Sequence, residues 1–364
     1  MNKKDAEHIA VFYEGQDDLI DILSVSMASV CYNTKSFVDF YILDCGIHDF
    51  NKKQLELLKE KFTNFSIEYI PIDLKQFEGL KGYRRENFVD CYSRLLIPEL
   101  KSSLSKAIYL DTDTIALKDI KLLWQENLEN KSIGAVADLG YRGIIKDNFI
   151  QNLGGDEKQI FLSGGLFVLD CEKWRKNKIT QNLLSLAKEK KENLLVLIED
   201  LFSLYFTDDY KLLDSRYGII DIDNNADAIP SEKINTSYLI KEMKEAVIIH
   251  YAGDNKPWKS SHNVFSHKTV AYFDSFWTFS AMTAFHNGLK NKFLQNVIVS
   301  DSQWLLRNVL EEKKFLSMPT DMHYKYKLFN IIPLLSIKQK NNCKRYFLFG
   351  CIPFLKMKVK KHEK

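Results

Sequence analysis

Short apolar runs alternate with stretches of helical spacing over the first 140 residues. His8–Tyr13 reads as an apolar strand, and Leu19–Val30 repeats its apolar residues at helical intervals. Phe37–Leu43 follows as a second strand, Lys52–Phe62 as an amphipathic helix, and Ser66–Ile70 as a strand closed by Pro71. Tyr92–Leu100 begins a helix that Pro98 interrupts, and the apolar run Lys106–Leu110 stops at Asp111. Gly134–Ala137 is a further strand, ending at Asp138. Strands alternating with helices predict an α/β fold with a mostly parallel sheet and right-handed crossovers. Ligands of such sheets bind beyond the carboxyl ends of the strands.

At one of those ends stands Asp111-Thr112-Asp113. In extended backbone this spacing puts both carboxylates on one face. There they can hold a hard divalent cation and, through it, a diphosphate. Taken alone, the tripeptide is equally well a solvated acidic turn. A second apolar run, Ala246–Ile249, delivers His250 to its end, with Gly253 and Lys256 close behind. A lone strand-end histidine is more often an ordinary hydrogen-bonded one. Beside the aspartate pair it becomes a third ligand, and imidazole tilts the metal from magnesium toward manganese. Glycine lets backbone approach a phosphate, and lysine supplies a point charge for it.

Four blocks now carry a resemblance to glycosyltransferase family 8, which has the GT-A, Rossmann-like fold. Cys91-Tyr92-Ser93-Arg94-Leu95 resembles the family's YxRL segment, and Tyr109–Asp113 its metal motif. Phe161–Arg175 resembles the FNSG…WR block, and His250–Gly253 with Lys256-Pro257-Trp258 the closing HYxGxxKPW. The similarity covers residues 8–258. It implies a retaining transferase that uses a UDP-sugar donor and Mn²⁺ (or Mg²⁺) held by Asp111, Asp113 and His250. It also implies donor contacts from Arg94, Thr112, Asp138, Ser163, Gly164, Gly253 and Lys256. Such families stack an aromatic ring on the base and use an acidic pair after the first strand; Tyr13 and Asp17 take those places here. The segment 139–160, glycine-bearing at both ends, reads as a surface excursion or as a lid over the nucleotide.

The departures from the family pattern are informative. Where members carry Asp-Gln-Asp on a helix facing the sugar, this chain has Ile198-Glu199-Asp200, and Leu162 replaces a sugar-contacting Asn. Loss of polar contacts favours a sugar lacking a hydroxyl or carrying an apolar substituent such as an acetamido methyl. A one-residue slip in alignment is the competing explanation. Glu199 and Asp200 are the catalytic candidates: Glu199 as nucleophile or as stabiliser of positive charge at the anomeric carbon. The plainer reading makes both the charged face of a helix.

Bulk properties narrow the rest. The chain has 364 residues and a net charge of +3, too small to suggest nucleic-acid binding. No run of eighteen apolar residues is present, and the N-terminus does not read as a signal sequence. Six scattered cysteines read as reduced cytosolic thiols. Past Trp258 comes an aromatic-rich helical stretch, then a repeat in which Tyr326–Lys338 mirrors Tyr346–Lys358. The expected organisation is a transferase domain at 1–258, a helical extension at 259–320 and a basic aromatic tail at 321–364. The tail suits attachment to an anionic membrane surface on the cytoplasmic face, or else a pair of packed hairpins. The activity expected is hexosyl transfer to a glycan or glycolipid hydroxyl. A nucleotide-sugar-binding protein without turnover and a metal-dependent UDP-sugar hydrolase are the alternatives.

Overall fold

The structure, a computed structural model, describes residues 8–82, 88–138, 143–219, 245–253, 256–259, 272–296 and four strands within 323–358. Contacts divide the chain into a first unit, Met1–Val297, and a second, Ile298–Lys364.

Five strands form the first half of the larger unit: β1 (His8–Gly15), β2 (Phe37–Asp44), β3 (Phe65–Pro71), β4 (Lys106–Leu110) and β5 (Thr114–Ala116). β6 (Ile133–Ala137), β7 (Leu162–Asp170), β8 (Tyr210–Leu212) and β9 (Ile248–His250) follow. Seven of them make one sheet, ordered β3-β2-β1-β4-β7-β6-β8. Its pairings are parallel except on either side of β7. β1, β4 and β7 are almost wholly buried, so they read as continuous apolar runs rather than alternating ones.

β5 and β9 stand apart as an antiparallel pair with Thr114 opposite His250. Helix α1 (Ile20–Asn33) holds this pair through a polar stripe, Ser26, Ser29 and Asn33, at helical spacing. The Ala116 amide donates to Ser29 Oγ at 2.8 Å, and Asn33 Nδ2 donates to the Ala116 carbonyl at 2.9 Å. Ser26 Oγ lies 3.1 Å from Thr114 Oγ1, which donates to the Asp111 carbonyl at 2.9 Å. Side chains of a helix thus satisfy a strand edge that would otherwise be buried unpaired.

Two local expectations need correction, and a third gains detail. Pro98 does not interrupt a helix: a 3₁₀ turn over Asp90–Leu96 leads into the helix Ile97–Leu100, with Pro98 in its first turn, where no amide hydrogen is needed. The helix expected at Lys52–Phe62 starts earlier, as Asp49–Glu56, and tightens to 3₁₀ over Leu57–Glu60. The stretch read as a surface excursion contains the helix Gly143–Gln151, anchored by the fully buried Phe149. Leu139–Arg142 lie outside the described residues. Further along the chain, the helix Phe273–Ser280 buries Phe276 and Phe279 in a cluster with Ile115, Ile249 and Tyr251.

The second unit is a four-stranded antiparallel sheet in chain order: β10 (His323–Leu328), β11 (Ile332–Lys340), β12 (Cys343–Leu348) and β13 (Ile352–Lys358). Each copy of the repeat is one hairpin, and each has a register shift at the same place, Tyr326/Lys327 and Tyr346/Phe347. Pairing aligns Tyr324, Ile337, Tyr346 and Leu355 in one row across the sheet. The adjacent row is His323, Lys338, Arg345 and Lys356.

Candidate active site

β4 and β9 deliver Asp111, Asp113 and His250 to one spot, where their ligand atoms lie within 4.8 Å of one another. His250 Nε2 is 3.1 Å from Asp113 Oδ1 and 3.6 Å from Asp111 Oδ2. Lys256 Nζ donates to Asp113 Oδ2 and to the Tyr251 carbonyl. Burial opposes charge on Asp113, yet Lys256 and His250 together hold its carboxyl well below the usual range. Burial likewise lowers His250, and the Asp113 and Asp111 charges outweigh it, so its pKa is raised. Two carboxylates and an imidazole make a donor set that fits a divalent cation. Gly165, on β7, lies directly beneath: a Cβ there would fall on His250 Cε1 and Asp111 Oδ2. Gly253 follows β9 with a φ of +77°, a left-handed conformation natural to glycine. Thr112 is half-buried between the two aspartates.

Behind Asp111 lies a buried polar knot. Arg94 NH1 donates to the Gly164 carbonyl at 2.7 Å and lies 3.0 Å from Asp111 Oδ1. Its NH2 donates to Glu14 Oε2 at 3.1 Å, and its guanidinium sits 4.5 Å above the Tyr109 ring. The Tyr109 hydroxyl donates to Asp111 Oδ1 at 2.8 Å. Neither Glu14 nor Tyr109 was expected as a site residue. A buried-type strand ending in a lone carboxylate, as β1 does at Glu14, was the available signal.

The helix Ile198–Tyr205 carries both catalytic candidates, but their surroundings differ. Glu199 is half-buried, and a Cβ on Gly164 would meet its Oε1 at 3.1 Å. Burial, then the charge of Asp138, pushes its carboxyl up to about 8. Asp138 is half-buried at the end of β6, its amide donating to the Phe161 carbonyl. Asp200, by contrast, is fully enclosed, and Oδ2 accepts the amides of Leu195 and Val196 at 2.7 and 2.9 Å. It caps the turn before the helix, where Leu197 takes a φ of +47°, a conformation costly for a side-chain-bearing residue. Ser163 is buried, with Oγ accepting the Gly165 amide at 3.3 Å. Leu162 is enclosed in the core and offers a sugar no surface.

One expectation at the end of β1 needs correction. Tyr13 is fully buried with its hydroxyl 2.9 Å from Ser26 Oγ, so its ring has no face open to a base. It lies on the α1 side of β1, and the hydroxyl chain described above begins with it. Asp17 is accessible; its Oδ1 accepts from the His48 amide at 2.8 Å and from Asn51 Nδ2 at 2.9 Å. It borders a cavity of about 440 Å³ lined also by Gln16, Cys45, Phe88 and Asp90. Phe88 is 45% exposed on that wall.

A sheet of this order, with acidic side chains where β4 ends, is the GT-A fold. The profile of glycosyl transferase family 8 matches residues 10–262, and the chain belongs to that family, as a hexosyltransferase enzyme. Over 228 residues it is 28% identical to General stress protein A of Bacillus subtilis (strain 168), spanning 62% of this chain and 77% of that one. It is 28% identical over 242 residues to Glycosyltransferase GlyF of Streptococcus pneumoniae serotype 4, spanning 65% of this chain and 54% of that one. Galactosyltransferase LgtC, solved with donor and acceptor sugar analogs, shares the fold at a TM-score of 0.63 and 20% identity, covering 76% of this chain and 96% of that one. A glutamine-to-glutamate active-site mutant of LgtC gives a TM-score of 0.64.

Proposed function

We propose that the enzyme moves a hexose or N-acetylhexosamine from a UDP-sugar to a hydroxyl of a surface glycan, such as lipopolysaccharide or lipooligosaccharide, with retention. The convergence of Asp111, Asp113 and His250, with Lys256 bound to Asp113, carries the reading. These three residues would hold Mn²⁺, with Mg²⁺ the second choice, and a bound cation neutralises charge on the departing diphosphate. Lys256 adds a second positive charge at the same place. The cavity beside Asp17 would take the base, with Phe88 rather than Tyr13 as its aromatic wall. Asp138, Thr112, Ser163, Gly164 and Gly253 would border the sugar and diphosphate.

Glu199 supplies a route to retention. Its carboxylate bonds to the anomeric carbon as the bond to the diphosphate oxygen breaks. The acceptor hydroxyl then displaces Glu199 and passes its proton to the diphosphate. The alternative is attack from the face the diphosphate leaves, with Glu199 only stabilising positive charge. Melting curves with a panel of nucleotide sugars, with and without Mn²⁺, test the donor. A UDP-sugar should raise Tm only when Mn²⁺ is present, and product analysis should show transfer when acceptor is added. Hydrolysis in place of transfer, or binding without turnover, would overturn the transferase reading.

The second unit fits attachment to an anionic leaflet beside a lipid-linked acceptor. Residues 324–358 hold eight Lys or Arg and no Asp or Glu. Each basic residue near such a surface contributes about 1 kcal/mol before salt screening. Among the described residues no helix is long and apolar enough to cross a membrane. Truncation before Tyr324 should abolish sedimentation with anionic liposomes while leaving metal-dependent donor binding intact. Equal sedimentation of both forms would sink the membrane role.

A further inference from the structure

We propose that Tyr109 and Arg94, the latter held by Glu14, lock one oxygen of Asp111 so that this carboxylate meets a cation through Oδ2 alone. The inference rests on the reading of Asp111, Asp113 and His250 as cation ligands. Asp111 Oδ1 already receives the Tyr109 hydroxyl at 2.8 Å and faces Arg94 NH1 at 3.0 Å. The hydroxyl fills one lone pair of that oxygen, and the guanidinium charge holds against it. Oδ2 is the oxygen that faces His250, at 3.6 Å from Nε2.

The lock is itself braced. Arg94 NH1 is fixed by the Gly164 carbonyl and NH2 by Glu14 Oε2, while Gln16 Nε2 donates to Glu14 Oε1 at 2.9 Å. The Tyr109 ring is sandwiched between the guanidinium, at 4.5 Å, and the stacked Phe167 ring, at 4.8 Å. Neither Tyr109 nor Arg94 is free to swing away, because each is buried and held from its far side. Glu14 and Tyr109 are therefore positioning residues, acting on the cation through Asp111.

A carboxylate limited to one oxygen discriminates between cations. Ca²⁺ accepts bidentate carboxylates and roughly 6–8 oxygens, whereas Mg²⁺ and Mn²⁺ suit fewer ligands in tighter octahedral sites. Pinning Oδ1 selects against Ca²⁺. Freeing it lets Asp111 rotate toward two-oxygen binding and relaxes that choice.

The test is calorimetric titration of the full chain, without donor, using Mn²⁺ and Ca²⁺ separately. Tyr109→Phe removes the hydroxyl but keeps the ring beneath Arg94. Glu14→Gln keeps the shape but weakens the acceptor that holds NH2. In Tyr109→Phe the ratio of Ca²⁺ to Mn²⁺ affinity should rise by about tenfold or more, the scale of a lost outer-shell partner. Glu14→Gln should shift it the same way by less, and it serves as the test should Tyr109→Phe fail to fold. An unchanged ratio, or equal weakening of both ions, would overturn the lock. Failure of the wild type to bind either ion would overturn the cation reading and the lock together.

Discussion

Asp113→Ala is expected to abolish Mn²⁺-dependent binding of a UDP-sugar while leaving the chain folded. Asp113 is the hub of the site: Oδ1 faces His250 and Oδ2 takes the Lys256 ammonium. Its removal takes away a ligand and frees a positive charge next to a site meant for a cation. Lys256 keeps the Tyr251 carbonyl, and the Tyr251 amide keeps the backbone carbonyl of residue 113, so the local fold stands. Losing an outer-shell partner typically costs about 10–100-fold in metal affinity, and a lost ligand should cost at least the upper end. His250→Ala should fall within that range, since both carboxylates remain. Calorimetry with Mn²⁺ and UDP reads both effects, and normal Mn²⁺-dependent binding by Asp113→Ala would remove the core of the proposed function.

β1, β4 and β9 were legible because each is a short apolar run bounded by polar residues or a breaker, whereas β5 and β7 were not read as strands. Asp111 and His250 could be placed at strand ends from the sequence, and both are there. The mate of β9 was not legible: periodicity identifies a strand, whereas pairing with β5 depends on α1 turning three polar residues toward Ala116 and Thr114. Tyr13 was misassigned for the same reason. In a strand buried on both faces, alternation no longer tells which side a ring takes. The helix at Gly143–Gln151 did leave a signal, Ile145, Phe149 and Leu153 at intervals of four, obscured by the polar residues among them. Glu14 and Arg94 are eighty residues apart, and no spacing rule joins them.

Glu199→Gln is expected to lower turnover by orders of magnitude with donor affinity nearly unchanged, the signature of an interaction made in the transition state. A variant keeping more than about a tenth of wild-type turnover, a deficit of about 1.4 kcal/mol, would favour same-face attack. An independent readout comes from stability. Burial, then the Asp138 charge, raises the Glu199 carboxyl from 4.5 to about 8, so the folded enzyme keeps a proton that the unfolded chain releases between those values. The stability this group contributes is fully present below the unfolded value and lost as pH rises through the folded one. Urea unfolding from about pH 5 to about pH 9 should therefore show Glu199→Gln gaining on wild type as pH rises. A flat difference would mean that the carboxyl titrates as an exposed one. The same proton sets the pH profile of covalent catalysis: only the carboxylate attacks, so turnover should climb until about pH 8. The variant's turnover decides whether the ionised form of Glu199 is used.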